Sequence, residues 1–133
     1  AIKLGYYEVY GKFEEVYNYR VYLFSEGVDI ENESGFGNAI AIYLATYSPP
    51  LTAETIPYES ESFDTYPSFS VQGVLEYNLD TQNGIELNFG DANGDLTISK
   101  SSDGKTYTIQ FKCTSLGDEK TLTGKYTGKI TEL

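Results

Sequence analysis

The chain has 133 residues, 9 basic and 20 acidic, a formal net charge of −11, and no histidine, methionine or tryptophan. That length is one domain's worth, residues 1–133, able to bury roughly two-thirds of its unfolded surface. An acidic field argues against nucleic acid and anionic membranes, and the lack of histidine excludes Ser-His-Asp, Cys-His and His-zinc chemistry within the chain.

No apolar run approaches the length of a bilayer span. The chain begins at Ala1 without a methionine anywhere, which is expected of a processed or trimmed product or of a piece of a longer chain. Contact with a membrane is expected only through an N-terminal anchor that this sequence does not carry. Cys113 is the one cysteine, so no intrachain disulfide can form. It is in phase with Tyr107, Ile109 and Phe111, which marks it as a small buried hydrophobe.

Taken in chain order, the alternation of apolar and polar residues predicts strands throughout. Leu4 to Val9 is the first, ended by Gly11. Val16 to Phe24 is the second, with Tyr17, Tyr19, Val21 and Leu23 on one side and Asn18, Arg20, Tyr22 and Phe24 on the other. Both of its faces are aromatic-rich, as expected of a central or doubly covered strand. The acidic run from Glu26 to Glu33 reads as a solvated loop, because carboxylates crowded on one side repel. Asn38 to Tyr47 is nearly continuous in apolar residues, and its β-branched content and flanking glycines favour a strand over a short helix.

Ser48-Pro49-Pro50, Pro57 and Pro67 break the pattern. This stretch is expected to cross from one sheet to another, with a short edge strand near Thr55. A meander follows: Phe69 to Leu79, Ile85 to Phe89, Leu96 to Lys100, Thr106 to Cys113 and Thr121 to Ile130. Asn83-Gly84 and Asp103-Gly104 are turn pairs that accept positive φ. In the last strand, inward Gly124 and Gly128 flank Tyr126 and predict close packing of an aromatic ring from the facing sheet. Lys112, Lys125 and Lys129 read as edge protection or solubility. The pattern as a whole predicts an all-β, single antiparallel β-sandwich. The alternative is a closed β-barrel with a ligand cavity, for which Ala39, Ala41, Gly73, Gly124 and Gly128 would leave room.

Three patterns bear on chemistry. Asp91, Asn93 and Asp95 offer oxygens at alternate positions, as a calcium loop does at its first, third and fifth places. The sixth place is Leu96 and the twelfth Ser102, so the match is partial, and an ordinary hairpin turn is the competing reading; otherwise no cofactor is expected. Carboxylate pairs can also hydrolyse glycosides without histidine, which makes a carboxylate-dependent glycoside hydrolase an alternative. The third pattern is aromatic. Tyr22, Tyr43, Tyr47, Tyr58, Phe63 and Tyr66 fall out of phase with the core or in loops, and such rings beside Asn, Asp and Glu suit sugar stacking or protein contact. Tyr47, Tyr58 and Tyr66 are the candidate ligand-binding residues.

The C-terminal half carries Gly94-Asp95-Leu96-Thr97-Ile98-Ser99, then Asp103-Gly104-Lys105-Thr106-Tyr107-Thr108-Ile109-Gln110-Phe111, then Leu122-Thr123-Gly124-Lys125-Tyr126-Thr127-Gly128-Lys129-Ile130. This cadence resembles small exported, often lipid-anchored all-β domains of gut Bacteroidetes. The resemblance implies an extracellular, cell-surface or periplasmic setting and a link to glycan capture. It carries no functional residue. The expected role is a non-catalytic, exported or cell-surface binding or structural domain whose partner is an oligosaccharide or a neighbouring surface protein, with a small-ligand barrel as the other alternative.

Overall fold

A computed structural model describes residues 2–13, 15–25, 27–29, 32, 34–58, 68–78, 81, 83–87, 92–115 and 121–132. Its strands in chain order are β1 (Ile2–Phe13), β2 (Val16–Ser25), β3 (Val28–Asp29), β4 (Ser34–Thr46), β5 (Glu54–Pro57), β6 (Ser68–Asn78), β7 (Asn83–Leu87), β8 (Ala92–Lys100), β9 (Tyr107–Ser115), β10 (Thr121–Gly128) and β11 (Ile130–Glu132). They form two sheets. The first has the order β11-β1-β2-β4-β6-β7, with β3 paired to the start of β4, and the second has the order β10-β9-β8-β5. All described pairings between these strands are antiparallel except β1 with β11.

The fold is a two-sheet antiparallel β-sandwich, and its core is one cluster drawn from both sheets. Tyr19, Val21 and Leu23 of β2, Ile42 and Leu44 of β4 and Phe69 and Val71 of β6 meet Ile56, Leu96, Ile98, Ile109 and Phe111 from the other layer. These are the in-phase positions of each strand, as period-2 alternation requires. Burying each large apolar side chain stabilises by about 1.5–3 kcal/mol. Cys113 is fully enclosed, and burial raises its thiol pKa.

The barrel alternative is not what the structure shows. Among the described residues, the sheets are joined by an isolated parallel bridge between Tyr58 and Phe69 and by the passages of the chain from β4 into β5 and from β10 into β11. Of the residues expected to leave a cavity, Ala39, Ala41 and Gly124 do not. Ala39 and Ala41 stand opposite Phe24 and Tyr22 on the outer side of β4, and the space left by Gly124 is filled by the Phe111 ring. That ring comes from the adjacent strand, directly across the ladder, rather than from the facing sheet.

Several boundaries also differ from expectation, each for a physical reason. β1 continues through Gly11, because a bulge between Val9 and Gly11 is absorbed there at φ 149°, a conformation side chains disfavour. Part of the acidic run is ordered as β3, which pairs Val28 with Gly35 and Asp29 with Ser34. The proline-rich connection does reach the second sheet, where β5 pairs with β8, but the chain then returns to the first sheet as β6. The meander is likewise divided, with β7 in one sheet and β8 in the other. The last expected strand breaks at Lys129, where the chain changes sheets; the carbonyl of Lys129 accepts a hydrogen bond from the Tyr126 hydroxyl.

Candidate binding face

The outer side of the first sheet carries a cluster centred on Arg20. Strand register places Glu8, Arg20 and Tyr43 in one row across β1, β2 and β4, and Tyr6, Tyr22 and Ala41 in the next. Alternation sends these residues away from the core, because Val21 and Ile42 between them are fully buried. The Arg20 guanidinium carbon lies 4.6 Å from the ring centre of Tyr10 and 4.3 Å from that of Tyr43. Each such contact is worth about 0.5–2 kcal/mol, depending on how far water is excluded.

Hydrogen bonds tie the cluster together. Arg20 Nη1 donates to the Tyr22 hydroxyl at 3.2 Å, Tyr22 donates to Glu8 Oε2 at 3.5 Å, and the hydroxyls of Tyr10 and Tyr22 lie 3.3 Å apart. Arg20 Nε is enclosed and has no hydrogen-bond partner among the described residues. Loss of water, followed by the Tyr22 hydrogen bond, pushes the Tyr10 hydroxyl up to about 12. For Arg20, burial works against the charge, but the hydrogen bond and charge interaction with Tyr22 prevail and raise its pKa.

A second aromatic row continues this surface. Tyr22 and Phe24 stack 6.4 Å apart with rings 9° from parallel, and Tyr6 meets Phe24 edge-on at 6.1 Å. Phe24 is buried beneath them, whereas Tyr10 remains 48% exposed. The face therefore offers planar rings, a fixed cation and a carboxylate side by side. Rings whose partners already hold them lose little conformational freedom on binding.

Tyr47 follows β4 directly and is 58% exposed. Tyr58 is half-buried, its ring packed edge-on against Phe69 at 5.2 Å, and its N–H donates to the Gly94 carbonyl at 2.9 Å. Tyr66 and Phe63 lie outside the described residues, as does Asp91. Asn93 and Asp95 are exposed side chains two apart on β8. The stretch from Ala92 to Asp95 is a strand and not the expected hairpin turn. Its glycine serves a close approach, since a Cβ at Gly94 would stand 2.0 Å from the Lys112 carbonyl oxygen. Among the described residues, no group of three or more Asp, Glu or Cys is arranged to hold a metal ion.

Of the six out-of-phase aromatics, the structure brings Tyr22 and Tyr43 together around Arg20. Sequence reasoning missed Glu8, Tyr10 and Arg20. The available signal was Arg20 itself, an arginine in mid-strand between aromatic residues on both faces. No family model, curated protein or solved structure matches the chain.

Proposed function

We propose that this chain is a non-catalytic binding domain that acts outside the cell or at its surface, capturing oligosaccharide on the Arg20 face of the first sheet. The observation that carries this reading is the pairing of Tyr10 and Tyr43 about Arg20, with Tyr22 and Glu8 hydrogen-bonded into the same cluster. The partly exposed rings offer flat apolar surface to the C–H face of a sugar. Glu8 and Arg20 supply an acceptor and donors for ring hydroxyls. The resemblance of the C-terminal cadence to exported all-β domains of gut Bacteroidetes is in keeping with the same reading.

The test is a thermal-melt screen against neutral oligosaccharides. A ligand at about one hundred times its dissociation constant stabilises by about 2.7 kcal/mol, which is several degrees for a domain of this size. The expected result is a shift with one glycan class that disappears in Tyr43→Ala and Arg20→Ala. A flat panel, or a shift unchanged in both variants, sinks the proposal. A neighbouring surface protein is the second reading, favoured by exposed Val9 and Tyr10 on β1, since tyrosine and arginine dominate the energetics of protein contacts.

A further inference from the structure

The outer side of the second sheet is chemically unlike the rest of the molecule. Its floor passes over Phe111 and Gly124, and its walls are Asp95, Thr97, Gln110, Lys112, Thr123 and Lys125, around a cavity of about 630 Å³. Register explains the arrangement. Asp95, Lys112 and Thr123 form one row across β8, β9 and β10, and Thr97, Gln110 and Lys125 form the next. Lys112 and Lys125 are therefore diagonal neighbours, within reach of one another across the ladder.

Of the two expected readings, edge protection or solubility, the first fails for one of this pair. β10 is an edge strand, so Lys125 fits it, but Lys112 lies on β9 between two partners. Among the described residues, neither ammonium has an ion pair or hydrogen bond, and the Gln110 amide is equally unengaged. Two adjacent cations repel unless an anion lies between them. Asp95, directly across the ladder from Lys112, offsets one of the two charges and leaves the groove with one net positive charge in a chain of net charge −11.

We propose that this groove binds an acidic saccharide, with Lys112 and Lys125 holding a sugar carboxylate and Thr97, Thr123 and Gln110 bonding its hydroxyls. The mixture of hydroxyl, amide and cation side chains suits a uronic acid better than a bare anion, which needs charge alone. This site is separate from the Arg20 face, lying on the other sheet, and does not depend on the function proposed for it.

Calorimetric titration of the whole domain with trigalacturonate, its methyl ester and inorganic phosphate at constant ionic strength is the test. The proposal expects measurable binding of trigalacturonate, at least tenfold weaker binding of the ester, and little affinity for phosphate. The paired substitution Lys112→Gln with Lys125→Gln should weaken trigalacturonate at least tenfold, whereas Lys112→Arg with Lys125→Arg retains it. Lys105→Gln, at an exposed turn position outside the groove, should leave it unchanged, which separates this site from a general loss of positive charge. Both lysines are exposed, and a melt of each variant checks that the fold survives. Absence of trigalacturonate binding, equal affinity for the ester or phosphate, or indifference to the glutamine pair overturns the proposal.

Discussion

The hydroxyl of Tyr19, deep in the sandwich, accepts a hydrogen bond from the backbone N–H of Leu51 at 3.3 Å. Leu51 is a non-glycine residue at φ 62°, yet its side chain is only 2% exposed. The turn after Pro50 thus holds a disfavoured backbone conformation because the side chain fills the core and the amide finds a buried partner. Tyr19→Phe removes that partner and is expected to cost about 1–3 kcal/mol. Leu51→Ala should cost about 2–5 kcal/mol, since it empties core volume without relieving φ. Urea titration of both variants checks the order.

The same tyrosine predicts an alkaline weakness. Burial, the largest cause, pushes the Tyr19 hydroxyl up to about 12. In the unfolded chain a tyrosine ionises near pH 10. Between about pH 10 and 12 the native state therefore keeps a proton that the unfolded state has lost, and stability falls as pH rises. Melts recorded from pH 9 to 12 should decline less steeply in Tyr19→Phe than in wild type. Parallel curves would contradict the assignment.

Glu54 should behave similarly in the acid range. Its Oε1 is enclosed without a hydrogen-bond partner among the described residues, and burial raises its pKa. A carboxyl group with a raised native pKa favours folding when protonated, so its penalty appears as pH rises through the carboxylate range. Glu54→Gln is expected to raise Tm modestly at pH 7, with the gain shrinking towards pH 4. A lower Tm at pH 7 would show that the charge is stabilised by something else.

Two glycines separate space from flexibility. A Cβ at Gly94 would collide with backbone, whereas one at Gly124 would stand 2.4 Å from a side chain, the edge of the Phe111 ring. Gly94→Ala is expected to cost about 3 kcal/mol or more and Gly124→Ala about 1–3 kcal/mol. Denaturant midpoints of the two variants decide the order.

These cases also mark what the sequence could reveal. Ile109, Phe111 and Cys113 repeat at every second residue, so their burial follows from local periodicity. Gly94, in a segment whose competing reading was a hairpin turn, is constrained by the Lys112 carbonyl, on a strand whose pairing no local pattern encodes. Lys112 looked like an edge charge because the order β10-β9-β8-β5 is a property of the sheet rather than of the residue. The Arg20 cluster was hidden for a related reason: Glu8, Arg20 and Tyr43 align only through two successive strand registers.

The parallel pairing of β11 with β1 has a mechanical consequence. Gly5, Tyr6 and Tyr7 lie beside Ile130, Thr131 and Glu132, and the two strands run in the same direction. Tension applied at residues 2 and 132 would pull these strands past one another lengthwise, loading the shared backbone bonds together. A hairpin pulled at its open end would surrender them in turn. The fold accordingly places a shear clasp between its first and last described strands, and pulling from those two points meets this clasp before the core.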